Sequence, residues 1–158
     1  MSNAPGWSGV LRGEAEQELL GVRLAAACIG PALIHLEGDL GAGKTTLTRG
    51  FLRGLGHRGA VKSPTYTLIE PYEIAGRQVY HLDLYRVADP AELEYLGLRE
   101  MLSGDAVLLV EWPERGAGWL PPPDLRIQIR YQGQGREVAM SAATARGQRV
   151  LKRFVADL

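Results

Sequence analysis

Apolar residues recur along this chain with two different periods, and the changes of period mark out its elements. From Glu14 to Ala27, Leu20, Leu24 and Ala27 share one face while Glu16, Glu18 and Arg23 are left to water. That spacing predicts an amphipathic helix, ended by Gly30-Pro31. Ala32 to Glu37 (ALIHLE) is short and mostly apolar, the pattern of a buried strand. Gly38 to Gly43 breaks both periods and predicts a loop. Helical spacing resumes over Lys44 to Leu55 through Leu47, Phe51 and Leu55, and stops at Gly56. Thr67 to Ile74 and Gln78 to Leu84 are strand-like runs joined by the compact turn Ala75-Gly76-Arg77, which predicts an antiparallel hairpin. Pro71 has no amide hydrogen to give a ladder, so the first run belongs at a sheet edge.

The second half repeats the alternation. Asp89-Pro90 opens a helix with proline in its first turn, turning Leu93, Leu96 and Met101 inward. Ala106 to Val110 (AVLLV) reads as another buried strand, closed by Glu111-Trp112-Pro113. Leu125, Ile127, Ile129 and Tyr131 alternate with Arg126, Gln128 and Arg130, which predicts a strand with one solvated face. Gly133 and Gly135 form the next turn, Glu137 to Met140 returns as the partner strand, and a final helix carries Val150, Leu151, Phe154 and Val155. Strands and helices interleaved in this way predict an α/β fold with a mixed sheet. No repeat, low-complexity tract or linker divides residues 1–158, so a single domain is expected, with 1–13 as a flexible N-terminal extension.

Composition narrows the function classes. The 158 residues are 46% hydrophobic and 23% charged, and 18 Lys plus Arg balance 18 Asp plus Glu. A formal net charge of zero argues against a chain that grips nucleic acid by bulk electrostatics. The lone cysteine, Cys28, lies in an apolar helical stretch and reads as a core thiol. No apolar run approaches the roughly 20 residues that span a bilayer, and no basic start with an apolar signal core is present. A soluble, cytoplasmic protein with no membrane partner is the expectation.

The chemistry lies where the first strand meets the second helix. Gly38-x4-Gly43-Lys44-Thr45 matches G-x-x-x-x-G-K-[ST], the phosphate-binding loop, at every defined position. Backbone amides must turn inward around phosphate oxygens, and side chains there would block the approach, hence the glycines. The following helix adds unpaired amides and the positive end of its dipole. On this reading Asp39, Leu40, Gly41, Ala42, Gly43, Lys44, Thr45 and Thr46 bind the nucleotide. Lys44 reaches the β- and γ-phosphates, and the Thr45 hydroxyl is available to Mg²⁺. Guanine readers normally use an Asn-Lys-x-Asp element, but the only asparagine is Asn3, which favours ATP by elimination.

A bound Mg²⁺ calls for an acid at a neighbouring strand end. Asp83 in VYHLDLYR and Glu111 in AVLLVEWPE are the two candidates, the latter at the end of the most Walker-B-like run. Lys62-Ser63-Pro64-Thr65-Tyr66 stands where nucleotide switches place a threonine. His35, His57 and His81 show no spacing that would make a metal cluster, and structural roles are expected for all three.

Taken together, LEGDLGAGKTTLTRGFLRGLG, VKSPTYTLIEPY, VYHLDLYR and VEWPER, in that order, closely resemble the bacterial TsaE family of tRNA threonylcarbamoyladenosine biosynthesis proteins. The family usually has a threonine where this chain has Gln17. The resemblance implies a P-loop NTPase-type three-layer α/β/α fold and an ATPase required for threonylcarbamoyladenosine at position 37 of ANN-decoding tRNAs. It also implies a transferase partner of the actin-like ATPase superfold with its paralogue, and contact with tRNA through that complex. Carried over by position, Asp39 to Thr46 hold the phosphates and Thr45 and Glu111 ligate Mg²⁺. Asp83, Lys44 and Thr65 serve hydrolysis, Ser63 and Pro64 complete the switch segment with Thr65, and Trp112 frames the site. Two other readings remain open from the residues: a small-molecule kinase, and an interaction module in which ATP orders Lys62 to Tyr66 and hydrolysis is incidental.

Overall fold

The alternation of side chains decides which side of the sheet each strand residue serves, and in this protein both sides are covered. The computed structural model describes residues 6–158. Its strands are β1 (Gly6–Leu11), β2 (Ala32–Glu37), β3 (Ile69–Ile74), β4 (Arg77–Asp83), β5 (Val107–Glu111), β6 (Leu125–Gln132) and β7 (Gly135–Ala142). Its helices are α1 (Glu14–Ala27), α2 (Lys44–Leu55), α3 (Glu92–Tyr95), α4 (Leu98–Ser103) and α5 (Ala145–Ala156). The strands form one sheet in the order β1-β7-β6-β2-β5-β4-β3. β2 pairs in parallel with β5 and β6, and β5 with β4, while β3–β4, β6–β7 and β1–β7 are antiparallel.

On one face Ala32, Ile34 and Leu36 of β2 and Val107 and Leu109 of β5 join a core with Leu24, Phe51 and Phe154 from α1, α2 and α5. On the other, Leu33, Leu108 and Val110 meet Leu93 and Leu98 of the short helices. The three-layer α/β/α architecture with a mixed sheet is therefore the one observed. β3 is an edge strand, in keeping with Pro71.

α1 and α2 meet backbone to backbone. A Cβ on Gly50 would run into the Glu18 carbonyl, and one on Gly21 into that of Leu47, so only glycine permits this approach. Arg49–Glu14 and Arg53–Glu18 ion pairs flank the contact on its exposed side, where such pairs contribute up to about 1 kcal/mol each. This packing fixes α2, and with it the loop that precedes α2. Asp124 ties the other half together. It accepts hydrogen bonds from the Leu33 amide (2.8 Å) and the Thr144 hydroxyl (2.7 Å), and Thr144 in turn caps α5 by accepting from the Gly147 amide.

Two expectations are corrected. Residues 6–11 are not a flexible extension, because they pair along their whole length with β7, Gly6 with Ser141 through Leu11 with Arg136; residues 1–5 lie outside the described ones. The helix expected after Asp89-Pro90 is two short pieces, because Gly97 takes a left-handed conformation (φ 82°) between them.

His35 lies opposite Arg126 in the β2–β6 ladder and is buried. Burial, reinforced by the Arg126 charge, lowers its pKa from 6.5 to about 4. The unfolded chain therefore takes up a proton that the folded one refuses. The stability at stake is intact above pH 6.5 and is lost as pH falls toward 4, on the order of 3 kcal/mol. Urea midpoints measured from pH 7.5 to 4.5 should fall, and His35→Leu should flatten the part of that slope lying above pH 4.

Candidate nucleotide site

Parallel pairing sets Asp83 of β4 beside Glu111 of β5, and Glu111 beside Leu36 of β2. Three chain segments thus emerge together at the C-terminal edge of the sheet, where open α/β sheets bind their ligands. The first of them continues into the glycine loop. Gly41 (φ 76°) and Gly43 (φ 115°) are left-handed. A Cβ on Gly41 would come within 2.9 Å of the Tyr131 hydroxyl, and one on Gly43 would strike the side-chain carbonyl of Gln17. Gln17 therefore occupies the ground beside Gly43 from α1, packed against the loop backbone.

The outer side of the loop is held by the β6–β7 hairpin. Tyr131 donates its hydroxyl to the Leu40 carbonyl (2.9 Å), and Arg136 donates to the carbonyls of Ala42 (3.1 Å) and Gly41 (3.5 Å). The Arg136 guanidinium also lies 4.1 Å from the centre of the Tyr131 ring. In a trans peptide the C=O and the following N–H point in opposite directions. Fixing the Leu40 and Ala42 carbonyls against these two side chains therefore turns the Gly41 and Gly43 amides away from them. Leu40 and Asp39 are exposed at the rim, and Thr46 is half-buried in the first turn of α2.

Lys44 is only 4% exposed. Its ammonium donates to the Gly38 carbonyl (2.6 Å) and lies 3.8 Å from the centre of the Trp112 ring. Burial lowers its pKa, and the carboxylates of Glu111, Asp83, Glu114 and Asp39 oppose that shift. Trp112 reaches this position from a left-handed backbone (φ 56°), with Tyr85 against its ring.

The carboxylates have separate partners. Glu111 Oε2 accepts from the Thr45 hydroxyl (3.3 Å) and contacts His81 Nε2 (2.6 Å). Asp83 accepts from the Tyr85 amide (3.0 Å) and the Thr65 hydroxyl (3.4 Å), and Thr65 is hydrogen-bonded to Ser63 (2.7 Å). Burial pushes the Asp83 carboxyl above its ordinary value, with the Glu111 charge adding to the rise and the Tyr85 amide working against it. Pro64 is buried beneath this segment.

The structure thus brings Lys44, Thr45, Thr65, Asp83, Glu111 and Trp112 into one site. It adds His81, Gln17, Tyr131 and Arg136, which the sequence reading left out. His81 had a visible signal, since it lies two residues from Asp83 on a strand and so shares its face. Tyr131 had the opposite one, because alternation assigned it to the apolar face, whereas it is 50% exposed. Arg136 carried none. Among the described residues no group of three or more His, Cys, Asp or Glu could hold a metal alone. A hydroxyl and carboxylates beside a phosphate cradle nonetheless fit Mg²⁺, which is held through one or two carboxylates together with substrate phosphates.

Phosphate chains are what such a loop accommodates, and with parallel strands behind it the protein is of the P-loop nucleoside triphosphatase class. Within that class the chain belongs to the TsaE family: the family described as threonylcarbamoyl adenosine biosynthesis protein TsaE matches residues 11–138. It is 52% identical over 122 residues to the tRNA threonylcarbamoyladenosine biosynthesis protein TsaE of Haemophilus influenzae, covering 77% of each chain. It is 45% identical over 122 residues to the protein of the same name from Bacillus subtilis, covering 76% of each. The crystal structure of Bacillus subtilis YdiB superposes with a TM-score of 0.84 at 31% identity, covering 99% of both chains.

Removing the outer supports should loosen the loop without unfolding the protein. Arg136→Ala, which loses two hydrogen bonds to the loop, and more strongly Arg136→Ala with Tyr131→Phe, which loses three, should weaken ADP binding about 5–50-fold, measured by calorimetry. A second expectation concerns Asp83. Its folded-state pKa lies above the model-peptide value of 3.8, so the stability referable to it is greatest below that value and declines as pH rises through the folded one. Asp83→Asn should therefore raise the thermal midpoint at pH 8, with the gain disappearing on acidification.

Proposed function

We propose that this chain is the Mg²⁺-dependent ATP-binding and ATP-hydrolysing subunit required to form threonylcarbamoyladenosine on ANN-decoding tRNAs. In this reading it works with a threonylcarbamoyl transferase of the actin-like ATPase superfold and that protein's paralogue. The observation that carries the reading is the buried Lys44 ammonium at the mouth of the glycine loop, with Asp83 and Glu111 side by side at the adjacent strand ends.

Lys44 supplies countercharge for the β- and γ-phosphates, which would draw its ammonium from the Gly38 carbonyl to phosphate oxygens. The loop from Asp39 to Thr46 offers amides on the side left free by Tyr131 and Arg136. Thr45 and Glu111 are the groups that would hold Mg²⁺, which when bound would supply countercharge for the phosphates. Thr45 can donate its proton to Glu111, as it does here, and still present a lone pair. Asp83, kept from full solvation and next to Thr65, is suited to orienting or accepting a proton from the attacking water. Ser63, Pro64 and Thr65 form the segment that answers to the γ-phosphate, and Trp112 closes the side over Lys44.

Two features favour work inside a complex. The net charge of zero suits docking on a tRNA-binding partner better than binding tRNA directly. Arg86 and Arg115 are stacked over Tyr66 and Tyr85 rather than aimed at the carboxylates, so hydrolysis by the isolated chain should be slow. An arginine supplied by a partner accelerates such reactions on the order of 10³–10⁵-fold. No helix is long and apolar enough to cross a membrane among the described residues, and we place the protein in the cytoplasm with its partners.

The test is Lys44→Ala, assayed for ATP binding by Trp112 fluorescence and for tRNA modification in a reconstituted complex. ATP should change the fluorescence of the wild type, whose ammonium leaves the indole face, and the signal should vanish in Trp112→Phe. Lys44→Ala should lose modification while its thermal midpoint stays within a few degrees of the wild type. Phosphate transfer to a metabolite in place of water would support a kinase instead.

A further inference from the structure

Nearly every group in the site has a stated task except one. His81 is fully buried, and its Nε2 is 2.6 Å from Glu111 Oε2, closer than the Thr45 hydroxyl that meets the same oxygen at 3.3 Å. Its other nitrogen, Nδ1, is buried with no hydrogen-bond partner among the described residues. A core histidine placed for packing alone would not need a carboxylate, whereas a buried carboxylate needs a hydrogen-bond donor to offset its lost hydration.

We propose that His81 is a positioning residue for the metal site: its Nε2–H holds Glu111 Oε2 in place, so that Glu111 can orient the Thr45 hydroxyl and keep Oε1 for the cation. The inference rests on the reading of Thr45 and Glu111 as the Mg²⁺ groups.

Three observations lead to it. The parallel register puts His81 opposite Leu109, two residues before Glu111, and on the same sheet face as Asp83 and Glu111. The imidazole therefore reaches diagonally to the carboxylate, which the long side chains allow. Oε2 meets both His81 and Thr45, whereas Oε1 has no hydrogen bond among the described residues. One oxygen is engaged by protein donors and the other is free.

The orphaned Nδ1 fixes the direction of the bond. If Nε2 carries the hydrogen, Nδ1 is left as an unpaired acceptor. If Nδ1 carried it, a buried N–H donor would be unpaired, and orphaned donors are the rarer and costlier case. The Nε2–H tautomer donating to Glu111 is the arrangement that leaves the smaller debt. Histidines that ligate metals are usually oriented by carboxylates; here the order is reversed, and a histidine orients the carboxylate.

The proposal is tested on the full chain with His81→Leu, which removes the donor, and His81→Gln, whose amide can restore one. ADP affinity is measured by calorimetry in EDTA and across a Mg²⁺ series, and Mn²⁺ binding to the ADP complex by electron paramagnetic resonance. His81→Leu should raise the Mg²⁺ or Mn²⁺ concentration at half-effect about 10–100-fold, the usual cost of losing an outer partner. It should leave metal-free ADP affinity within about twofold, and His81→Gln should recover most of the loss. An unchanged metal requirement in His81→Leu, or equal losses in EDTA and in Mg²⁺, would overturn the proposal. Should His81→Leu not fold, ¹⁵N-histidine spectra of the wild type decide: a hydrogen on Nε2 whose signal moves in Glu111→Gln supports it, and a bare Nε2 with the hydrogen on Nδ1 overturns it. Glu111→Gln also separates the two readings. If it leaves the Mg²⁺ requirement untouched, the metal assignment fails and the proposal with it; if it alters that requirement while His81→Leu does not, only the proposal fails.

Discussion

Lys44 carries a full positive charge to a position that is almost out of water, and a lone ammonium there would cost several kcal/mol. The surroundings offset that cost in three ways: a carbonyl at Gly38, the face of the Trp112 indole, and the carboxylates Asp83 and Glu111. None of these comes from α2 itself. They are delivered by three strand ends, Gly38 after β2, Asp83 at β4, and Glu111 with Trp112 at β5, so the charge is tolerable only where these strands finish together. The parallel register, with Asp83 beside Glu111 and Glu111 beside Leu36, is therefore what makes the buried Lys44 charge tolerable at the start of α2. Slip one strand by a residue and the carboxylates turn to the opposite face.

The same dependence runs outward to the helices. The loop can hold its shape only if α2 starts at a fixed place, and α2 is fixed by its close approach to α1 through Gly50 and Gly21. On the far side the β6–β7 hairpin supports the loop carbonyls, and that hairpin is secured by β1 along its free edge. The N-terminal strand is thus part of the support for the site, although four strands separate it from the β4 strand that carries Asp83.

How far this was legible in the sequence depends on the range of the interaction. The glycine-lysine-threonine spacing is local, and the predicted strand, loop and helix at Ala32 to Leu55 agree with the structure to the residue. Strand ends with an acid after an apolar run, at Asp83 and Glu111, were equally plain. The broken helix at Gly97 was missed because a leucine at positions 93, 96 and 98 suits one helix or two, and only the left-handed turn at Gly97 decides. β1 was missed because GWSGVL has two glycines and little alternation; its strand state comes from pairing with β7, which no local pattern reports. Arg136 and Tyr131 act on a loop more than ninety residues away in the chain. His81 is an intermediate case, since its parity with Asp83 was visible but its bond to Glu111 depends on the register of two strands.

Strain is concentrated where the site would have to respond. Three non-glycine residues among those described have positive φ: Leu68, Ala75 and Trp112. Ala75 belongs to the β3–β4 turn, where such torsions are the normal requirement. Leu68 and Trp112 have no such excuse, and each left-handed non-glycine residue costs on the order of 1–3 kcal/mol. Both are pinned by contacts to the site. The Leu68 amide donates to the Pro64 carbonyl (2.7 Å) and its carbonyl accepts from the Asp83 amide (3.0 Å), while Trp112 lies against Lys44. The segment carrying Thr65 is consequently tied to Asp83 twice, by backbone through Leu68 and by side chain through the Thr65 hydroxyl. Any rearrangement of that segment must disturb the surroundings of Asp83, and any ligand that moves Lys44 must remove one of the contacts that hold Trp112 in its strained conformation. Leu68 thus binds the Thr65 segment to Asp83, and Trp112 binds the end of β5 to Lys44, each by direct contact.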